Sequence, residues 1–234
     1  MSPAVNTADV EVLDRAVYLE AADTLVVADL HLGRAQTAAV DLPLGEGADV
    51  RGRLGRLLDA VEPAAVVLAG DVLHSFDHVP TGVSKTLRNI RHRVEDAEAS
   101  LVVLQGNHDT MLPTLLDAPL QSTYRATEGT LVLHGHHEPT ETADRYVVGH
   151  EHPAIEIEGQ RHPCVLQCAD QYDGATLVVV PAFTRLARGT LVNRRDASET
   201  NTPLLTDLRG CHPIVRLDDE SLAFPPLGEF ERLL

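Results

Sequence analysis

The sequence predicts an α/β chain with a parallel first half and a more strand-rich second half. Short, continuous, β-branched apolar runs recur along it (TLVVA, AAVVLAG, LVVL, TLVL, YVVG), as strands covered on both faces do. Two stretches with apolar residues at helical spacing separate the first three runs. After Thr130 the runs follow one another with little room for helices, the pattern of a more antiparallel sheet. At 234 residues the chain can bury a proper core, and residues 1–234 read as one domain.

Each element follows from local pattern. VEVLDRAVYL (10–19) reads as a hairpin or two short edge strands, and Thr24 to Ala28 as the next strand. LPLGEG is a loop. From Asp49 to Val61, Val50, Leu54, Leu57, Leu58 and Val61 form one helical stripe, with Arg51, Arg53 and Arg56 largely off it. Pro63 ends that helix. A strand over 65–68 completes a β-α-β unit, which makes its two strands parallel. Val83, Leu87, Ile90 and Val94 mark a second amphipathic helix before a strand over 101–104. MLPTLLDAPL is a short helix broken by proline. TLVLHG, YVVGHE, AIEIEG, CVLQ and TLVVVPAF supply the later strands. RRDASETNTP reads as a flexible surface loop, PIVRL as a last strand-like piece, and FPPLGEFERLL closes the chain. There is no internal repeat, low-complexity tract or linker.

Composition bounds the function. The net charge is −16, and Lys85 is the only lysine among nineteen basic residues. An acidic, lysine-poor surface resembles that of proteins from cells holding molar salt, where the Debye length is about 3 Å and self-repulsion costs little, with an ordinary acidic cytosolic protein as the alternative. Such a balance disfavours a surface that tracks nucleic-acid phosphates by bulk charge. The N-terminus lacks a basic and then apolar leader, and no run approaches membrane-spanning length, so the expectation is a cytoplasmic protein with no membrane partner. Cys164, Cys168 and Cys211 are sparse and odd in number, which suits reduced thiols. With His162, the first two lack the second pair that a tetrahedral zinc site needs.

Five of the apolar runs end on metal-ligand residues: Asp29 and His31; Asp71; Asn107, His108 and Asp109; His134; His150 and His152. Ligands at the trailing ends of several strands gather on one rim of a sheet, where open α/β sheets place their sites. A two-metal centre requires a bridging anion, mixed nitrogen and oxygen ligands, and open positions. Asp29 and His31 can reach one metal from one turn, Asp71 can bridge, Asn107 offers a carbonyl oxygen, and three histidines offer imidazoles. His150 and His152 flank Glu151, and in extended chain residues two apart project to one side. Hard oxygens with imidazoles suit manganese, iron or zinc. Each piece alone is common; five in order, each after an apolar run, are not.

On these residues (ADLHLGR, AGDVLHSF, QGNHD, LHGHH and GHEH, from about Leu25 to His152) the chain strongly resembles the calcineurin-like metallophosphoesterase superfamily. The resemblance implies a four-layer α-β-β-α sandwich, two packed mixed sheets flanked by helices. It implies one divalent ion, most readily Mn2+, on Asp29, His31, Asp71 and His152. A second would sit on Asp71, Asn107, His134 and His150, with Asp71 bridging. His108 occupies the position that protonates the leaving group, a role imidazole suits because its unperturbed pKa is about 6.5. Asp109 either orients His108 or caps a helix. His74 looks like the phosphate-handling histidine of the DNA double-strand-break repair nucleases. Arg34 can contact a phosphate and His136 the substrate, while His137 solvates its loop. The implied reaction is hydrolysis of a phosphodiester or phosphomonoester by a metal-bridging hydroxide with His108 as acid.

Within the superfamily, ADLHLGR, VLAGDVLHSF and the later PAFTRLARG with Asn193 resemble a group of small prokaryotic phosphoesterases related to those nucleases. That kinship implies nucleotides or nucleic acid as alternative substrates and DNA-repair proteins as partners. The repair nucleases carry a further DNA-capping domain; much of the sequence after GHEH is expected to finish the sheet, so the expectation is a chain without one. Small or flexible phosphoesters are therefore the favoured substrates, a DNA-end nuclease the alternative, and a non-catalytic metal-binding scaffold the second alternative. The sequence carries no signal for oligomeric state.

Overall fold

The structure, a computed structural model, describes residues 9–37, 45–116, 120–194, 199–217 and 220–230. Residues 42–44 of the LPLGEG loop, 117–119 of the proline-broken helix, 195–198 of the expected surface loop and 231–234 of the tail lie outside them. Two sheets make the frame. The first holds β1 (Val10–Leu13), β2 (Ala16–Leu19), β3 (Thr24–Val27), β4 (Ala65–Ala69) and β5 (Ser100–Leu104), in that spatial order. β1 to β3 are antiparallel neighbours and β3, β4 and β5 are parallel. Between β3 and β5 run α1 (Arg34–Thr37), α2 (Glu46–Val61) and α3 (Val83–Asp96).

The second sheet holds β6 (Thr123–Thr127), β7 (Thr130–Leu133), β8 (Arg145–Val148), β9 (Pro153–Ile157), β10 (Gln160–Cys168), β11 (Thr176–Val179), β12 (Thr190–Leu191), β13 (Cys211–Leu217) and β14 (Glu220–Ala223). Its path runs β12-β9-β10-β11-β8-β7-β6, with β13 added beside β10. The expectation of a more antiparallel second half holds for the pairs of β10 with β9, β11 and β13, for β13 with β14 and for β6 with β7, while the edge strand β12 runs parallel to β9. At the centre β7, β8 and β11 are parallel. The exception matters, because it sends the trailing ends of those strands to one rim.

Alternation along these strands selects between two apolar cores. Val26, Val67, Val132, Val147 and Val178 point into the layer between the sheets. Their neighbours Leu25, Val27, Val66 and Leu68 face the helices, packing on Leu54, Leu58, Leu87 and Ile90. Leu131, Tyr146, Val148 and Val179 face outward from the second sheet, where Leu204, Leu205, Leu208 and Leu227 cover them. Both faces are apolar, which is why period two is invisible in the sequence. The architecture is thus the expected pair of packed mixed sheets. Among the described residues, however, the second flank is covered by irregular chain around 204–208 and the short α4 (Leu227–Phe230).

Two further expectations are corrected. Arg53 is 1% exposed and not on a solvated face of α2. It is drawn in because its Nε donates to Asp14 at 2.7 Å, its Nη1 donates to the Phe183 carbonyl at 2.6 Å, and its guanidinium lies over the Phe183 ring. Cys168 and Cys211 are not free thiols: they face each other across β10 and β13 and form a disulfide, leaving Cys164 as a buried free cysteine. Among the described residues, no helix is long and apolar enough to cross a membrane.

Candidate metal centre

The five ligand-bearing turns leave the C-terminal ends of β3, β4, β5, β7 and β8, all parallel strands. Hydrogen bonds knit the turns together: Asp29 N–H donates to the Gly70 carbonyl at 3.1 Å and His31 N–H to the Asp71 carbonyl at 2.9 Å. His150 N–H donates to Asp29 Oδ2 at 3.0 Å, joining the second sheet to the first. Asp29, His31, Asp71, His150 and His152 all sit at positive φ, between 44° and 64°. Non-glycine residues there are uncommon and cluster at functional sites. His150 and His152 therefore reach the rim from a turn and not, as expected, from extended chain. Glu151 between them points away and accepts the Asn201 N–H at 2.7 Å. A side chain at Gly106 would meet Asp71 Oδ1 at 2.2 Å, and one at Gly149 would meet Asp29 Oδ2 at 2.7 Å, so the packing demands glycine at both.

All seven expected ligands converge. His31 Nε2 lies 3.3 Å from His152 Nε2, and Asp29 Oδ1 lies 3.2 Å from the same nitrogen. Asp29, His31 and His152 offer ligand atoms within 4.8 Å of one another, as do Asp71, His134 and His150. Between the groups, Asp71 stands 3.4 Å from His134 Nε2 through Oδ1 and 3.8 Å from His31 Nε2 through Oδ2. His134 Nδ1 donates to the Ala69 carbonyl at 3.0 Å, since a carbonyl can only accept. In the neutral ring Nε2 then carries a lone pair. That lone pair faces Asn107 Oδ1 at 3.1 Å, His150 Nδ1 at 3.2 Å and Asp71 Oδ1 at 3.4 Å, three groups able to ligate a metal.

Such a cluster asks for cations. His31 Nδ1, His74 Nδ1 and His136 Nδ1 are buried with no hydrogen-bond partner among the described residues, and buried Asp29 Oδ1 has His152 Nε2 beside it at 3.2 Å. Burial and the charge of Asp29 push the Asp71 carboxyl up to about 8. Burial would also raise Asp29, but His152 and its neighbouring imidazoles bring it below the usual range. Burial lowers His31 to about 3 and His150 to about 4, so both rings are neutral and able to ligate near neutral pH. For His152, burial opposes protonation but the Asp29 carboxylate outweighs it and raises the pKa. Mixed carboxylate, amide and imidazole donors fit divalent transition ions.

The remaining expected residues divide. His108 lies beside the ligands, its N–H on Asp71 Oδ1 at 2.9 Å and its Nε2 3.8 Å from Asp71 Oδ2. Its Nδ1 donates to the His74 carbonyl at 2.8 Å. Asp109 does not orient it. That carboxylate is fully buried and accepts the N–H groups of Leu73 at 2.9 Å, Gly106 at 2.9 Å and Val72 at 3.3 Å. It locks the turn after β5 to the turn after β4. His74 stacks on His108 with centroids 5.8 Å apart, and burial, then the charge of Arg34, lowers its pKa. Arg34 opens α1 beside this cluster. His136 lies 5.1 Å from the His134 ring and lines a cavity of about 350 Å³ with Gln105, Thr123 and His137. One site residue escaped the sequence reading: Phe76, half exposed, lies 4.0 Å from the His108 ring. Its signal was an aromatic in a loop of a chain with only four phenylalanines.

A family model described as calcineurin-like phosphoesterase matches residues 23–138. The chain belongs to the calcineurin-like phosphoesterases. It is a metal-dependent hydrolase by that membership. His150 and His152 lie beyond the matched residues, and the fold brings them to the site. Among solved structures, the nuclease MPE of Pseudomonas putida is 24% identical, with TM-score 0.60, covering 90% of this chain and 92% of that one. The phosphoesterase YfcE of E. coli is 16% identical over 69% of this chain and 80% of its own, with TM-score 0.43. A dimetal phosphatase of Danio rerio is 8% identical over 86% and 94%, with TM-score 0.44. No curated protein sequence matches the chain.

Proposed function

We propose that the protein is a phosphodiesterase working with two divalent cations. Asp29, His31, Asp71 and His152 hold one and Asp71, Asn107, His134 and His150 the other, with Asp71 shared. The observation that carries this reading is the His134 Nε2 lone pair, fixed outward by the Ala69 carbonyl and placed among Asn107 Oδ1, His150 Nδ1 and Asp71 Oδ1. When bound, the cations supply positive charge at the phosphoryl oxygens and a nucleophile at neutral pH. His108 donates a proton from Nε2 to the departing oxygen, while the His74 carbonyl holds Nδ1–H and stabilises the charged ring. Arg34 and His74 add donors beside the phosphate, and His136 borders the space for the rest of the substrate.

The chain would act as one catalytic domain, and its length does not argue against nucleic acid. The Pseudomonas putida nuclease is matched over 92% of its own chain, so the same fold at similar extent serves a nuclease. Phe76 favours a second, narrower reading, a nuclease on unpaired strands. An exposed ring stacked on His108 is a platform for a base next to the departing oxygen. The test is hydrolysis of bis-p-nitrophenyl phosphate and of single-stranded DNA, titrated with Mn2+ at high salt. The expected result is activity that saturates at two equivalents of metal. Metal uptake with no turnover of either substrate would make the protein a scaffold.

A further inference from the structure

The rim carries a second charged feature that the metal centre does not use. Leu13 pairs with Ala16, and Val17 with Val26, so the β1–β2 turn stands beside the end of β3 from which Asp29 emerges. Arg15 in that turn donates through Nη1 to the carbonyls of Thr184 at 2.7 Å and Ala182 at 3.3 Å. From the other flank of that segment, Phe183 N–H donates to the Ala28 carbonyl at 2.8 Å and Thr184 N–H to the Asp29 carbonyl at 3.3 Å. Residues 182–184 form a partition one strand wide, with Asp29 on one side and Arg15 on the other. Two strand spacings put them about 10 Å apart.

Beyond the partition is a cleft of about 220 Å³ lined by Arg15, Arg185, Arg216 and His162, with Asp14 the one carboxylate among its described lining residues. Asp14 is already committed to Arg53 at 2.7 Å. Among the described residues, the bonds that hold the cleft arginines use Nη1: Arg15 on the two carbonyls, Arg185 on Asp49 at 3.3 Å, and Arg216 on Ser221 Oγ at 3.2 Å. A guanidinium has five N–H donors, so each of the three keeps donors beyond these bonds. In a chain of charge −16, gathering three arginines in one cleft runs against the composition. Burial, then the proximity of Arg53 and Arg185, lowers Arg15 to about 10, a crowding that an anion relieves.

We propose that this cleft holds a second phosphate of a polynucleotide strand whose scissile phosphate lies at the metal centre. The inference rests on the phosphodiesterase reading and narrows its substrate class. A small diester has one phosphate and gains nothing from the cleft. A single strand can run along the rim, with a base on Phe76, one phosphate at the metal ligands and the next at the arginines. Inorganic phosphate shares the recognising chemistry, and the experiment separates the two.

The test uses the full Mn2+-loaded chain and the variant R185Q/R216Q. The bonds lost to Asp49 and Ser221 are made by exposed or partly exposed side chains whose groups regain water, and Arg15 is left in place because it props the partition. Binding of a fluorescent phosphorothioate oligothymidylate is read by anisotropy, beside hydrolysis of the ordinary oligonucleotide and of bis-p-nitrophenyl phosphate. We expect oligonucleotide affinity to fall about tenfold per arginine removed. The salt slope should shrink by about 0.7 per lost phosphate contact. The ratio of kcat/KM on the oligonucleotide to that on the small ester should fall in parallel. An unchanged ratio and unchanged affinity would overturn the proposal, as would a wild type that hydrolyses the small ester but does not bind the oligonucleotide. Loss of inorganic phosphate binding with oligonucleotide handling intact would also overturn it, in favour of a free-anion site. If the variant loses oligonucleotide binding but neither protein hydrolyses anything, the cleft stands and the phosphodiesterase reading falls.

Discussion

The half of the rim fed by β3, β4, β5, β7 and β8 and the half fed by β1, β2, β10 and β13 share one frame but solve opposite problems. The first gathers lone pairs that could hold a cation, and the second gathers guanidinium groups that could hold an anion. Their backbones differ accordingly. Five of the seven candidate ligands adopt left-handed φ, whereas of the cleft's lining residues only Arg15 does. Short Asp and His side chains must be aimed by the main chain, and strain of order 1–3 kcal/mol per residue is accepted to do it. Arginine reaches its target through a long side chain, so ordinary strands suffice. Rigidity is concentrated where a cation must be held and relaxed where a phosphate need only be steered.

Breaking the first half should have the largest effect. Asp71→Asn removes the one carboxylate placed between both groups, and we expect hydrolysis to fall to background and the second equivalent of Mn2+ to be lost. The metal-free variant should nevertheless be no less stable than metal-free wild type. Asp71 is raised to about 8 from 3.8 by burial and by Asp29, so the unfolded chain ionises it first. Its burial therefore costs stability increasingly as pH rises from about 4 to 8. Asparagine carries no such penalty, and the gap in urea midpoint should favour the variant at pH 8 and close towards pH 4. A metal-free variant that is clearly weaker at pH 8 would contradict this account of the site.

His108→Ala should lower kcat by about 10²–10⁴ while Mn2+ stoichiometry stays at the wild-type value. Metal analysis beside turnover separates the two variants. Equal metal loss in both would erase the division between ligand and acid.

The first half was legible in the sequence and the second was not, for a physical reason. Ligand residues after buried strands announce themselves locally: each apolar run is followed within a few residues by Asp, Asn or His, and parallel strands bring such ends together. The cleft is assembled from Arg15, His162, Arg185 and Arg216, which are far apart in the chain, and although Arg185 lies in PAFTRLARG, no local pattern says that the four meet. Arg53 misled for a related reason. Helical spacing puts it off the apolar stripe, and only the packing of Asp14 and Phe183 over α2 buries it. The role of Asp109 and the Cys168–Cys211 pair likewise depend on what a distant turn or strand places opposite. The central parallel pairs of the second sheet were hidden because β7, β8 and β11 are apolar on both faces, which fixes neither direction nor neighbour.

Arg53 joins the two halves from beneath, holding Asp14 of the cleft and the Phe183 carbonyl of the partition. Arg53→Met should lower stability by about 3 kcal/mol, the low end for breaking a buried pair, because its partners Asp14 and Asp49 are partly exposed and can regain water. Urea unfolding at unchanged m reads this. The variant should also raise KM for an oligonucleotide more than for bis-p-nitrophenyl phosphate, since the partition loses its anchor on the cleft side. Equal changes on both substrates would mean that Arg53 serves the fold alone.

Phe76→Ala should have the smallest effect and the most selective one. The ring is half exposed and stacks on His108, so its removal buries nothing new and leaves no cavity. Stability should stay within about 0.5 kcal/mol of wild type. If a base stacks there, KM for single-stranded DNA should rise by a factor of about 5–30, from about 1–2 kcal/mol of lost stacking. The His108 ring remains fixed by the His74 carbonyl, so kcat should hold and a single-turnover measurement at saturating strand should match wild type. The effect on bis-p-nitrophenyl phosphate tells a base platform from a general aromatic shelf. A nitrophenyl ring can also stack, so an equal KM rise on both substrates would assign Phe76 to leaving-group aromaticity. A rise on DNA alone would tie the two halves of the rim to one strand.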